Sequence, residues 1–362
     1  PNDAEAAEAG TDKTLSFIQL ETGDYTISLT ISDDSGITET KSATVTVTTE
    51  ATAYSYYISE VLEYNPAITN GKGLAFSTID TPSTVLASVN TKLVDKPFDK
   101  NDLGVNLGSF GGSIVFRFDH TVMNVNGLRD FRIGSYATKG AYPAQGVVYV
   151  SSDANGNGKA DDEWYELAGS EYYKPETIKN YRITYDRPDP NKIPEPDMGQ
   201  QWSDATYVPW KDNQGNTGYI AKNIYHTQSY YPMWIEENSL TFSGTRLKDN
   251  ATDESDTGKY YVLYSYPWGY VDNHPNDYKD LNSFDIEWAV DAEGNKVELH
   301  GVDFIKVYTA VNQYCGWIGE TSTEIIRAQD LHIAPPSIIV PDPVSEQMKL
   351  QYDQAILKIK GL

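Results

Sequence analysis

The stretch from Ser151 to Tyr173, SSDANGNGKADDEWYELAGSEYY, carries oxygen-bearing side chains at alternate positions. Counted from Asp153 as position one, they fall at one, three, five and nine, and a glycine stands at six. Loops that wrap Ca²⁺ use this spacing, because alternate residues of a tight loop point inward and the ion takes about six to eight oxygen ligands. The pattern predicts a structural calcium site formed by Asp153, Asn155, Asn157, Lys159 (through its main-chain carbonyl), Asp161 and Asp162.

Position twelve of this loop departs from the calcium pattern, because it holds Trp164 and not glutamate. Asp162, Glu163 or Glu166 would then have to complete the shell. Two other interpretations stay open at this stage. The loop could be an Asx-rich turn without metal, or a set of catalytic carboxylates.

Aromatic residues cluster in two segments, 200–234 and 264–278. Flat rings bury a large area at low entropic cost, and beside Asn and Asp they suit sugar rings or a planar macrocycle. Alternatively, the same rings pin long loops to the protein body. The predicted ligand-binding residues are Trp202, Tyr207, Trp210, Tyr230, Tyr231, Trp234, Trp268, Tyr270, Asn273 and His274.

Motifs of catalysis are missing from the sequence. It contains no G-x-S-x-G, H-E-x-x-H, P-loop or dinucleotide fingerprint, and its 5 histidines are scattered. We therefore expect a protein that is not an enzyme, although the many carboxylates leave a glycoside hydrolase or a lyase open.

The composition narrows the classes of partner. A net charge of −24 over 362 residues disfavours nucleic acid and anionic membrane surfaces, since both would be repelled. No apolar run approaches the length of a membrane span. The single cysteine, Cys315, excludes an intrachain disulfide.

Short runs of alternating polar and apolar residues recur along the chain and predict strands. Examples are GGSIVFRF, QGVVYVSS, NYRITYDR, NSLTFSGT and VDFIKVYTAV, which are separated by Gly, Asn, Asp or Pro clusters. Helical periodicity is nearly absent before the C-terminus. The expected fold is all-β, a large jelly-roll-like β-sandwich.

Changes in composition predict three parts of the chain. Residues 1–50 would be a linker and part of an immunoglobulin-like β-domain, residues 51–333 the ligand-binding sandwich, and residues 334–362 a Pro-rich linker with a C-terminal segment. Within the second part, 186–234 contains six prolines and is expected to be a long loop.

The run GDYTISLTISDDSG resembles the last strands of a PKD domain, which is an immunoglobulin-like sandwich. The motifs FGGSIVFRFDHTV, DANGNGKADDEWYELAGSEY, WGYVDNHPN and VDFIKVYTAVNQYCGWIGE, all within 54–333, are similar to those of bacterial "cell surface proteins" with PKD-like modules. The resemblance implies a surface-exposed lipoprotein of the outer membrane, encoded beside TonB-dependent transporters of the cobalamin type.

The function implied by this resemblance is nutrient capture without catalysis, with a corrinoid or cobamide handed to a TonB-dependent transporter. Residue chemistry by itself favours a glycan as the ligand. A cell-surface adhesion or scaffold protein without a small ligand is a third interpretation.

Overall fold

The computed structural model of the protein describes residues 19–49, 51–70, 80–98, 104–137, 143–333 and 340–342. Strands in several antiparallel sheets form nearly all of the regular secondary structure of these residues, which confirms the predicted all-β class. The elements in chain order are β1 (Gly23–Ser32), β2 (Thr38–Val47), β3 (Glu60–Asn65), α1 (Pro82–Leu93), β4 (Val105–Asn106), β5 (Ser113–Met123), β6 (Phe131–Gly134), β7 (Gly146–Ser151), β8 (Tyr165–Leu167), β9 (Ile178–Asp186), β10 (Trp202–Asp212), β11 (Thr217–Asn223), β12 (Ser239–Arg246), β13 (Ala251–Asp253), β14 (Tyr261–Leu263), β15 (Ser283–Phe284), β16 (Ala289–Val290), β17 (Gly301–Thr309), β18 (Glu324–Ile325) and β19 (Arg327–Asp330).

A six-stranded antiparallel sheet, with the order β16-β8-β7-β17-β5-β3, forms the middle of the main body. Its two central strands, β7 and β17, are buried on both faces over much of their length. A strand has apolar residues on both faces when other layers of the protein cover both faces of its sheet. The sheet accordingly contributes to two separate hydrophobic cores.

The first core lies between one face of this sheet, the helix α1 and the three-stranded sheet β15-β6-β19. Phe116 of β5 and Ile305 of β17 meet Phe131 and Phe284 from the smaller sheet, whose rings stack at 5.5 Å. Trp288, in a 3₁₀ turn before β16, is completely buried in this core.

The second core lies against the four-stranded sheet, which has the order β11-β10-β9-β12. It is rich in buried tyrosines, and each needs a partner for its hydroxyl. Tyr308 shows how this is met, since its hydroxyl donates to Thr245 O at 3.0 Å and accepts from Thr245 N at 2.8 Å. Tyr308 of β17 thereby joins the six-stranded sheet to β12 of the four-stranded sheet.

The N-terminal hairpin follows the predicted alternation. β1 pairs with β2 over ten residues in an unbroken register, from Gly23 opposite Val47 to Ser32 opposite Thr38. One face carries serine and threonine pairs, such as Ser28 with Ser42 at 2.7 Å. Asp33 holds the turn by accepting from Ile37 N at 2.9 Å.

Two sequence predictions of secondary structure were wrong. The segment 186–234 is not one long loop, since it contains β10 and β11. Pro209 is tolerated within β10 because the neighbouring β9 pairs with residues 210–212 and not with the proline. The helix α1 was also missed, although Thr81 forms a capping box with Thr84 and Pro82 opens the first turn.

Residues 340–342 pack against the main body. Arg129 N donates to Val340 O at 2.9 Å, and Asp342 N donates to Gly127 O at 3.0 Å. Most of the predicted linker and C-terminal segment at 334–362 lies outside the described residues, as do residues 1–18, and the division into three domains stays a prediction. In the part of the chain that is described, no helix has the length and apolar character needed to cross a membrane.

Candidate functional site

Four of the ten predicted ligand-binding residues lie in the interior. Tyr230, Tyr231, Tyr270 and Asn273 are each 1% exposed or less. The Asn273 amide holds a loop by accepting from Tyr266 N at 2.7 Å and donating to Tyr266 O at 2.7 Å. These four residues were predicted to contact a ligand, but they instead pack and form hydrogen bonds inside the protein.

The other six predicted residues are half-buried, and four of them pack against one of the two cores. Tyr207 and Trp210 lie on β10 against the second core, while Trp234 and Trp268 pack against the first. His274 Nε2 is 2.8 Å from Tyr266 O. The two aromatic segments therefore both contribute rings to the packing of the protein body. The remaining residue, Trp202, lies in a different setting.

Trp202 belongs to a cluster of aromatic rings at the surface, which we call the aromatic patch: Trp202, Tyr225, Tyr261, Tyr314 and Trp317. The Tyr314 ring lies edge-on to Trp202 at 5.4 Å and to Tyr261 at 5.3 Å. Tyr225 and Trp317 form a third edge-on pair at 5.7 Å. Such edge-to-face pairs fix ring positions.

Three rings of the patch remain open to solvent despite these contacts. Tyr225 is 59% exposed, Trp317 is 42% exposed and Tyr314 is 36% exposed. Two glutamines anchor the two tyrosines: the Tyr225 hydroxyl donates to Gln201 Oε1 at 2.8 Å, and the Tyr314 hydroxyl donates to Gln200 Oε1 at 3.2 Å. The rings are therefore exposed but held in place.

The turn that carries the two glutamines is strained. Gln201 has a φ of 59°, which is uncommon for a residue other than glycine. Next to it, Trp202 Nε1 is buried and has no hydrogen-bond acceptor. A strained turn and an unsatisfied donor both cost stability, and such features concentrate at functional sites.

Four segments that are distant in the chain form the patch: 200–202, 225, 261 and 314–317. Of its five rings, only Trp202 was among the predicted ligand residues. One local signal was present for the last segment, since NQYCGWIGE places two aromatic residues among glycines outside any strand. Its Cys315 is buried, and this burial raises the pKa of the thiol to about 11.

The Asp153 loop has its oxygen-bearing side chains turned inward. Asp153 Oδ1 accepts from Asn157 N at 2.9 Å, and its Oδ2 accepts from Gly158 N at 2.8 Å. The Asn155 amide donates to Asp162 Oδ1 at 3.0 Å. The Asn157 amide donates to Asp161 Oδ1 at 3.1 Å, and these amides lower the pKa of Asp161.

The loop brings together five of the six predicted metal-ligating residues through these bonds. Glu166, considered for closing the shell, instead lies buried between the sheets and accepts from Thr245 Oγ1 at 2.5 Å and Tyr149 Oη at 3.0 Å. Among the described residues, no group of three or more His, Cys, Asp or Glu side chains is arranged to hold a metal ion. Calcium would thus depend on the Asn155 and Asn157 oxygens.

A polar cleft of about 170 Å³ borders this loop, lined by Asp153, Arg117, Asp119 and Asp303 among others. Two hydrogen bonds at this cleft connect the loop to the sheet. Asp153 N donates to Asp303 Oδ2 at 2.7 Å, and Arg117 Nη1 donates to Gly158 O at 3.3 Å. The loop is therefore fixed to β5 and β17.

In comparisons with known proteins, the chain matches no protein-family model and no curated protein sequence.

Proposed function

We propose that the chain is a non-enzymatic ligand-binding protein of the cell surface, and that its ligand lies across the aromatic patch. The observation that carries this proposal is that Tyr225, Tyr314 and Trp317 are more than a third exposed while ring pairs and glutamine bonds fix them. Fixed rings lose little entropy when a ligand binds, so their apolar faces are prepared for contact.

The chemistry of the patch favours a carbohydrate. A sugar ring offers an apolar C–H face to an aromatic ring, and its hydroxyls pair with amide groups such as those of Gln200 and Gln201 at the edge of the patch. The net charge of −24 favours a neutral ligand over a polyanion. The second candidate is a cobamide for a TonB-dependent transporter, which rests on the family resemblance.

A binding experiment tests the site and the ligand together. Trp317→Ala should weaken binding about 30-fold, because a central aromatic contact contributes on the order of 2 kcal/mol. The measurement is titration calorimetry with cyanocobalamin and, in parallel, a panel of neutral polysaccharides. Both ligands are offered to the wild-type protein and to each variant.

The matched control is Tyr173→Ala, because Tyr173 is 38% exposed and belongs to no ring pair of the patch. Its binding should equal that of the wild type. The proposal fails if neither ligand class binds, or if Trp317→Ala and Tyr173→Ala bind equally well.

We also propose that the Asp153 loop takes Ca²⁺ as a structural ion. Support comes from the hydrogen bonds by which Asn155 and Asn157 hold Asp162 and Asp161, and by which Asp153 holds the loop backbone. Rotation of an asparagine amide replaces its N–H donor by its oxygen, so a cation can take the central position now held by the amides. The ion would stiffen the connection between β7 and β8.

Calcium should raise the thermal midpoint of unfolding by several degrees. At a hundredfold excess over Kd, a ligand bound only to the folded state contributes about 2.7 kcal/mol. Asp162→Asn should remove most of this shift, while Asp256→Asn, a change in an exposed turn elsewhere, should keep it. Scanning calorimetry with calcium and with chelator measures the effect. An equal midpoint in both conditions would leave the loop as a metal-free turn.

A further inference from the structure

We propose that Glu320 couples ligand binding at the aromatic patch to pH, because it holds the turn that carries Trp317. This inference rests on the function proposed above. It assigns a positioning role to a residue that does not itself reach the surface, since Glu320 is 7% exposed.

Glu320 follows the Trp317 turn directly. The turn is one 3₁₀ helix, Gly316–Ile318, and it closes through Gly319, whose φ of 79° suits glycine. Glu320 then points inward. Its Oε1 accepts from Asn70 N at 2.8 Å, and its Oε2 accepts from Ser322 Oγ at 2.7 Å.

Asn70 links Glu320 to the Trp317 turn. Its side-chain amide donates to Ile318 O at 2.7 Å, so one residue is bonded to both Glu320 and the turn. Asn70 O in turn accepts from Gln228 Nε2 at 3.1 Å. The Trp317 ring therefore depends on a short chain of hydrogen bonds that begins at a buried carboxyl group.

The surroundings of Glu320 disfavour its charge. Within the described residues, no lysine, arginine or histidine forms an ion pair with it. The titratable groups that face it are Glu324, Tyr185 and Tyr230. Burial raises the pKa of Glu320 to about 7, and the hydrogen bonds from Ser322 and Asn70 oppose this only in part.

The direction of the pH effect follows from this raised pKa. The closed turn binds the Glu320 proton more tightly than an open turn, in which the carboxyl group is solvated and returns toward its ordinary value near 4.5. The closed turn is therefore favoured at low pH and loses stability as the pH rises toward and through about 7. A ligand that needs Trp317 in place should bind more weakly at alkaline pH.

The test is the Kd of the ligand found by the calorimetric panel, measured between pH 5.5 and 8.5. We expect the wild-type Kd to rise at least about tenfold over this range, because the open and closed turns differ by more than one pKa unit, and the rise should level off above about pH 7. Glu320→Gln keeps one acceptor for Asn70 N and places an amide donor against the Ser322 hydroxyl, which can accept. Its side chain does not titrate, so its Kd should stay flat. Glu254→Gln, an exposed carboxylate change beside the patch, should keep the wild-type slope.

A second readout needs no ligand. The difference in tryptophan fluorescence between the wild type and Trp317→Phe should titrate near pH 7 and should lose this step in Glu320→Gln. Binding that is independent of pH, or a slope that survives Glu320→Gln, overturns the inference and leaves the proposed function standing. Absence of binding at every pH overturns the proposed function instead.

Discussion

Replacement of Trp288 by alanine is expected to lower the free energy of unfolding by about 3–5 kcal/mol. The indole is completely buried, and its ring lies 4.9 Å from Trp268 and 6.3 Å from Phe284. The change leaves a large cavity in the first core. It also removes the Nε1 bond to Asp342 Oδ2 and the ring beneath the Arg129 guanidinium, which lies 4.8 Å from its centre.

Chemical denaturation followed by circular dichroism measures this loss, and Trp317→Ala is the matched control. Trp317 belongs to the exposed patch, so its replacement should cost less than about 1 kcal/mol. The pair of variants thus separates a tryptophan that supports the fold from one assigned to binding. Equal losses in the two variants would contradict both assignments.

Asp342→Asn is expected to cost about 3–5 kcal/mol, the usual effect of removing one partner of a buried ion pair. Arg129 and Asp342 have side chains that are 3% and 0% exposed, and Nε and Oδ1 lie 3.3 Å apart. Asparagine preserves the shape of the site but leaves the guanidinium charge without this carboxylate. The nearby Asp285 is a weak substitute, because burial and then the charge of Asp130 raise its pKa and favour its neutral form.

Asp249→Asn provides the matched control, since Asp249 pairs with Arg246 at 2.8 Å and is 42% exposed. Solvent screens such a pair, so the loss should stay below about 1 kcal/mol. The measurement is the same denaturation series. If Asp342→Asn leaves the free energy of unfolding unchanged, the contact between residues 340–342 and Arg129 does not stabilise the folded state.

Local periodicity was enough to predict several of the longer strands, among them β5, β9 and β17. The alternation in β1 and β2 needs only neighbours along the chain and one turn at Asp33, and the structure follows it residue by residue. The two errors also have local causes. The prolines of 186–234 concealed β10 and β11, and the capping signal of α1 at Thr81 covers only four residues.

The Asp153 loop is the part of the candidate sites that sequence reasoning could define. All its oxygen-bearing residues lie within ten positions, so their spacing alone predicts that they converge, and the loop does bring Asp153, Asn155, Asn157, Asp161 and Asp162 together. Whether it takes calcium stays a prediction. For such a compact loop, the backbone geometry of a tight turn decides the arrangement without help from the rest of the fold.

The aromatic rings are the opposite case. Sequence showed that the chain is rich in tyrosine and tryptophan, but an aromatic side chain is equally suited to a core and to a binding surface. Which role it takes depends on what covers it, and that is set by contacts between strands far apart in sequence. Tyr230 and Tyr270 are covered by the second core, whereas Tyr225 and Trp317 meet at the surface from positions about ninety residues apart, an arrangement that only the tertiary structure decides.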